Sequence, residues 1–343
     1  MTDIHTRNKA LIGGLRRALY DIAPGTLKGQ LSALFAPGAT VHLATPFEDL
    51  DGADGLYEAA YRPLIAAFPD LERRDFIVMA GADKGENWVG CAGHYVGVFE
   101  HPWLDIPPTQ HILGMRYHEF FRIVDDQIVE MQALWDIPQV MMAAGAWPLA
   151  PSLGVDWLVP GPASNDGIVT GPHEPVQSEA SRTLVGNMLA GLGRSTQGVE
   201  AMQLDRYWHP KMNWYGPCGI GSMRRISGFR NWHQIPFLAG MPDRVGIIEA
   251  GSFFADGDYV GFTAWPGMKM TISGDGWLGI APANQKITMR SLDFWRCEAG
   301  WIRENWVLVD LLHVYRQVGV DVLARMREYT YGRRHLGTGA LQK

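Results

Sequence analysis

Apolar positions along this chain follow two different rhythms, and the same succession of rhythms occurs twice. Residues 11–21 and 180–191 space their apolar side chains three and four apart, which predicts amphipathic helices. A second helical stretch ends near residue 35 in the first half and near residues 209–210 in the second. Each is followed by a short strand, at 40–44 and 212–215. Helices over 54–68 and 229–238 then run into a turn at Pro69-Asp70 and at Pro242-Asp243. Beyond that turn the period changes to two. Strands rich in β-branched and aromatic residues follow at 74–80, 86–99, 112–124 and 127–134, and again at 245–255, 259–272, 286–297 and 301–309. The two-residue turns Asp125-Asp126 and Ala299-Gly300 join the last pair in each half, and a final helix opens at Asp136 and at Asp310. Helices followed by a long antiparallel meander predict an α+β fold, with helices covering one face of a sheet.

The recurrence keeps a fixed register. Residues 106–145 and 280–319 align without a gap at a spacing of 174, and twelve of these forty positions are identical. Among them are Met115/Met289, Arg116/Arg290, Phe120/Phe294, Arg122/Arg296, Glu130/Glu304, Asp136/Asp310 and Gly145/Gly319. Upstream, Phe68-Pro69-Asp70 pairs with Met241-Pro242-Asp243 at a spacing of 173. Between the halves lies a stretch rich in Pro, Gly, Ser and Asn that sustains neither helix nor ladder. Its apolar residues 155–159 predict that it packs on a domain. The expected organisation is a first copy over 1–146, a linker over 147–175 and a second copy over 176–335. A tandem duplication explains all of it.

Composition narrows the class. Of the 343 residues 47% are apolar and 19% charged, so each half has material for its own core. A net charge of −6 and a pI near 6.0 give no field for nucleic acid. The scattered Cys91, Cys218 and Cys297 suggest neither disulfides nor a metal centre, and fit reduced thiols. The polar N-terminus predicts no signal peptide, and no apolar run nears the roughly 18–20 residues that span a bilayer. A cytoplasmic protein without membrane or nucleic-acid partners is expected. Thirteen Trp suit roomy apolar cavities as well as plain core filling.

Candidate chemistry rests on matched acids. Glu119 and Asp293 stand three residues before Arg122 and Arg296. Alternation puts them on one strand face with Tyr117/Ser291 and Phe121/Trp295, while His118, Phe120/Phe294 and Arg122/Arg296 take the other. On an inward face each is a buried general base; on an outward face each is a surface acid paired across strands. Asp136 and Asp310 are either pocket carboxylates or N-caps of the last helix, and Pro138 in the first turn suits a cap. The histidines show no metal-ligand spacing, and Gly216–Gly221 lacks the strand-to-helix setting of a phosphate loop. No metal or cofactor is therefore expected.

A Pro-rich turn, Met-Arg, an aromatic strand, a hairpin, Ile-x-Glu and then Asp-x-x-x-Val-x-x-x-x-Gly occur in both halves. So do Gly93-His94-Tyr95-Val96-Gly97 and Ile106-Pro107-Pro108-Thr109 in the first, and Tyr207-Trp208-His209-Pro210 before Asn213-Trp214-Tyr215 in the second. This pattern resembles the SnoaL-like polyketide cyclases of the nuclear transport factor 2-like superfamily. The resemblance implies two cones, each a curved antiparallel sheet closing over an apolar cavity lidded by helices. It also implies cofactor-independent proton transfer next to a carbonyl, as in cyclisation, isomerisation or dehydration. The family's acid/base Asp falls at Ala133 and Val307, and its partner His falls at Glu119 and Asp293. Glu119, Asp136, Asp293 and Asp310 are thus the candidate catalytic residues. His94, Tyr95 and Trp135 are the candidate ligand contacts of the first cone. Those of the second are Trp214, Tyr215, Trp232, His233, Trp265, Arg303 and Trp306. The partner is an apolar small molecule. A homodimer, or a pseudo-dimer within the chain, follows from the family's use of the outer sheet face. The loss of both family Asp residues leaves a non-catalytic binding or interaction protein as the alternative.

Overall fold

The computed structural model describes residues 3–338 apart from residue 24. Asp3 caps the first helix, α1 (Ile4–Tyr20), accepting from the backbone N–H groups of His5 and Thr6 at 2.9 and 3.1 Å. α2 (Leu27–Leu34) leads into β1 (Phe35–Leu43) and β2 (Glu48–Asp51). One helical run follows: α3 (Gly52–Leu56), a π turn over Tyr57–Tyr61, and α4 (Arg62–Ala67) with Pro63 in its first turn. The meander is β3 (Glu72–Asp83), β4 (Glu86–Val98), β5 (Ile112–Val124) and β6 (Gln127–Trp135), closed by α5 (Ile137–Ala143). They form a six-stranded curled sheet in the order β2-β1-β6-β5-β4-β3, parallel only between β1 and β6.

The second half repeats the plan. It comprises α6 (Pro175–Leu192), β7 (Trp208–Tyr215), β8 (Ser222–Arg224), α7 (Arg225–Phe229), a π turn over Arg230–Gln234 and α8 (Ile235–Gly240). Then come β9 (Val245–Gly246), β10 (Ser252–Asp256), β11 (Tyr259–Ile272), β12 (Gln285–Glu298), β13 (Trp301–Val309), α9 (Leu311–Gln317) and α10 (Val322–Thr338). The seven-stranded sheet runs β10-β11-β12-β13-β7-β8, with β9 on β11. Even the π turns recur, followed by Pro63 and Pro236 at a spacing of 173. The α+β fold with two curled sheets matches the sequence expectation.

Three local departures matter. The helix expected to end near 209–210 is replaced by short 3-10 turns over 195–206, because Gly198 and Gln203 take positive φ and break it. The strand expected over 245–255 splits into β9 and β10, whereas its counterpart β3 is continuous. In β11 the ladder to β12 is interrupted between Ala264 and Met268, where Pro266 has no N–H to give.

The two sheets pack outer face to outer face. Ile77, Met79, Trp88 and Phe120 of the first meet Phe254, Tyr259, Phe294 and Trp306 of the second. Phe120 and Phe294, equivalent in the repeat, stack on each other with centroids 4.8 Å apart. The linker is laid along this seam. Gly167 and Val169 bond the backbone of Val78, and Val155 pairs with Ser222.

The matched Asp–Arg pairs bind the halves reciprocally. Asp136 accepts from the Cys218 N–H at 3.0 Å, and Asp310 accepts from the equivalent Thr45 N–H at 2.9 Å. Arg116 donates to the carbonyls of Tyr215 and Val307, both at 3.0 Å, while Arg290 holds Asp310 at 3.0 Å. Asp310 also caps α9 through the His313 N–H at 3.0 Å. The structure therefore corrects the pocket-carboxylate reading of Asp136 and Asp310: both face the other copy and neither lines a cone.

Candidate functional site

In each half the inward face of the sheet is the one carrying the matched acid. Glu119 sits with Tyr117 and Phe121 under the helices, while Phe120 and His118 point into the seam. In the first copy this interior is full. Glu119 accepts from Arg73, from the Tyr95 hydroxyl at 2.8 Å and from the Trp135 indole at 3.1 Å. Arg73 also bonds Asp75, which takes a further bond from the Tyr117 hydroxyl at 2.8 Å, and the Tyr61 and Tyr95 hydroxyls meet at 3.0 Å. Every polar group in this cluster has a partner inside it, and Arg73, Tyr95 and Glu119 are almost wholly buried. It is a packed, ion-paired core.

Strand pairing identifies each counterpart in the second copy. Tyr95 pairs with Arg73 on one side and Met115 on the other; Met268 pairs in the same way with Gly246 and Met289. Tyr117, Glu119 and Trp135 correspond to Ser291, Asp293 and Val309, and Tyr61 on the π turn corresponds to Gln234. Each large side chain of the first cluster is replaced by a smaller one. The space so released is a cavity of about 370 Å³, lined by apolar residues from α6, α8 and the inner face of the second sheet.

Asp293 lies in this cavity wall. Its Oδ2 accepts from the Ser291 hydroxyl at 2.9 Å, and its Oδ1 has no partner. Among the described residues no cation offsets its charge. Burial accordingly pushes its carboxyl up to about 7, and the Ser291 hydrogen bond pulls the other way. His233, from the π turn, stacks on Trp214 with centroids 4.3 Å apart. Burial first, and then the charge of Arg244, lower it to about 3, so at neutral pH it is an uncharged ring. Trp208, Trp295, Asn305, Gln234 and Arg244 are further polar groups of the wall.

Of the residues expected to contact a ligand, Trp214 and His233 line this cavity; Tyr95 and Trp135 belong to the filled core of the first copy. The others lie elsewhere. His94 is buried on the outer face against Phe76, and burial lowers it to about 3. Tyr215 bonds Glu304 at 3.1 Å and Trp306 donates to the Pro160 carbonyl at 3.0 Å, both on the seam. Trp265 covers the Arg290 guanidinium at 4.4 Å. Trp232 is 54% exposed, and Arg303 is engaged by His209 and the Lys211 carbonyl. None of these six lines the cavity, and for Tyr215 and Trp306 the reason is that an aromatic residue in a dry seam and one in a cavity leave the same sequence signature. Two sequence signals reach other residues of the wall. Alternation from Asp293 gives Ser291 and Trp295, and the 173-residue register exposes Arg244 opposite Leu71.

Among the described residues no helix is long and apolar enough to cross a membrane, and no cluster of three or more His, Cys, Asp or Glu could hold a metal ion. All three cysteines are buried and free.

A family model described as SnoaL-like polyketide cyclase matches residues 16–143 and 198–318. These segments make up more than half the chain, and it belongs to that family as a tandem duplication. No curated protein matches. Solved structures resemble single copies. A provisionally assigned SnoaL-like polyketide cyclase from Jannaschia sp. CCS1 shares 22% identity over 43% of this chain and 96% of its own, with a TM-score of 0.37. The provisionally assigned polyketide cyclase IdmH from Streptomyces antibioticus shares 23% over 40% and 98%, with a TM-score of 0.33. AclR from Streptomyces galilaeus, provisionally described as a hydroxylase, shares 19% over 41% and 97%, with a TM-score of 0.35.

Proposed function

We propose that the second copy is a cofactor-independent acid/base enzyme for an apolar, oxygenated small molecule, with Asp293 as its general base and the first copy as its structural mate. The observation that carries this reading is the solitary carboxyl of Asp293 in the apolar cavity. With its proton affinity lifted to about 7 by burial, it exists in both forms near neutral pH. Such a group can take a proton from a carbon beside a carbonyl and hand one back. Ser291 fixes the carboxyl plane, and the cavity volume lies in the range that holds small ligands. Val307 stands where the family acid would fall, so a single carboxyl has to serve both proton steps. That favours isomerisation, or cyclisation through an enolate, over schemes needing two acids. Membership of the cyclase family supports the same chemistry.

The test uses 5-nitrobenzisoxazole, an apolar probe that needs only a base. Loss of its ring C–H proton to the base breaks the N–O bond, and the electron pair ends on a coloured phenolate. Wild-type protein is expected to turn it over with a rate rising through a midpoint near pH 7. Asp293→Asn should lower that rate about a hundredfold or more. A rate no higher than buffer, or one that survives Asp293→Asn, removes Asp293 as the base. Saturable binding of the probe without turnover would favour a non-catalytic binding protein.

A further inference from the structure

We infer that the natural ligand of this cavity is an aromatic or polycyclic acid, and that Arg244 holds its carboxylate at the end of the cavity away from Asp293. The inference builds on the proposed role of Asp293 only for which end of the molecule reacts. Arg244 follows the Pro242-Asp243 turn between α8 and β9 and lines the cavity. Its Nη2 donates to the Leu192 carbonyl at 3.1 Å, and Nη1 lies 3.9 Å from the Met268 sulfur. Among the described residues no carboxylate lies within ion-pair distance of it. The other arginines drawn into the interior differ: Arg73 has Asp75 and Glu119, Arg116 has Asp136, Arg290 has Glu48 and Asp310, and Arg296 has Glu298 and Glu304. A half-buried guanidinium with only a carbonyl and a thioether for company keeps donors free and carries an uncompensated desolvation cost. A ligand carboxylate would offset it.

Two further observations point the same way. In the first copy the equivalent of Arg244 is Leu71, 4% exposed and part of the filled core. The guanidinium is therefore present where the space is open and absent where it is closed. Arg244 lies beside Met268, whose ladder partner Met289 stands four residues along β12 from Asp293, about 13 Å at the rise of a strand. The cation and the acid thus stand apart along the cavity. The cavity wall also carries Trp208, Trp214, Phe229, His233 and Phe237, flat surfaces suited to a ring system.

The experiment compares 2-naphthoate with methyl 2-naphthoate, by calorimetry on the full chain at pH 7.5 and low salt. Wild type should bind the acid about tenfold more tightly than the ester, as expected for a charge-assisted pair in a partly buried site. Arg244→Met should erase that preference, weakening the acid about tenfold while leaving the ester within about twofold. Asp293→Asn should preserve it. Equal affinity for acid and ester, a preference that survives Arg244→Met, or failure of both to bind overturns the inference. Turnover of 5-nitrobenzisoxazole depends on Asp293 and needs no anion. Loss of turnover alone would sink the base, and loss of the acid preference alone would sink the arginine.

Discussion

The two cones are built on one plan and differ in what fills them. Where the first copy has Arg73, Tyr95, Tyr117, Glu119 and Trp135, the second has Gly246, Met268, Ser291, Asp293 and Val309. The first set closes into a network in which the acid is satisfied by a guanidinium, a phenol and an indole. The second leaves its acid with one hydroxyl beside a cavity. The comparison teaches that the same strand position can be an anchor or, as proposed for Asp293, a reactive group, depending on what its neighbours supply. A paired acid in a full core stabilises the fold; an unpaired acid beside a cavity holds free energy available for chemistry.

The largest effect should come from opening the closed cone. Trp135→Val gives the first copy the residue of the second, removing an indole that packs on Tyr61 and Tyr95 and donates to Glu119. Urea denaturation is expected to show a loss of about 3–5 kcal/mol, since the surrounding helices and strands cannot collapse into so large a void. A loss below about 1 kcal/mol would mean that the first interior is as loosely held as the second, and the contrast would fail.

The matched acids should respond with opposite signs. Glu119→Gln removes a negative charge from Arg73 in a fully buried cluster and is expected to cost about 3 kcal/mol, with Asp75 left as the only carboxylate partner. Asp293→Asn removes a charge that has no counterion. Because the folded protein holds the Asp293 proton up to about pH 7, against an ordinary value of 3.8, the folded state binds the excess proton between those values. Stability therefore falls as pH rises from about 4 to about 7, and the loss is complete above. The Asn variant should match wild type at pH 4 and exceed it by about 2 kcal/mol at pH 8, below the full linkage value because the Asp293 side chain is only partly buried. Destabilisation by both substitutions at pH 8 would show that Asp293 has a partner after all.

The meander and its register were legible because strands alternate and the duplication repeats that alternation at a fixed spacing. What hid the site was that both faces of these sheets are dry. Phe120 lies in the seam and Phe121 in the first core, yet as neighbours on one strand they are the same residue type. Trp306 and Tyr215 were natural choices for a pocket and instead fill the seam. The interruption around Trp265-Pro266-Gly267 added a second obstacle. Gly90 pairs with Phe120 as Gly261 pairs with Phe294, an offset of 171, but Tyr95 and Met268 stand 173 apart. Only with the pairing known does Tyr95 fall opposite Met268. Arg244 needed no such knowledge: the Pro-Asp turn already aligned it with Leu71.

The smallest effect tests how equal the two halves are where they touch. Gly90 and Gly261 lie at corresponding places on β4 and β11, each facing the stacked Phe120–Phe294 pair. A methyl group at Gly90 would come within 2.8 Å of a Phe294 ring carbon and 3.0 Å of one in Phe120, so the stack has to shift. At Gly261 the nearest approach is 3.1 Å, to Phe120, with the Met79 sulfur and Phe254 at 3.4 Å. Alanine also relieves a strand of the entropy cost of glycine, worth about 0.5–1 kcal/mol, which offsets the milder crowding. Gly90→Ala is therefore expected to cost about 1–2 kcal/mol by thermal or urea unfolding, and Gly261→Ala to stay within about 0.5 kcal/mol of wild type. Phe294→Leu, which withdraws the ring nearest Gly90, should reduce the cost of Gly90→Ala in a double-mutant cycle. Equal costs at both glycines would mean that the seam is as symmetric as the repeat that built it; unequal costs would extend the divergence of the two copies from their interiors to the surface they share.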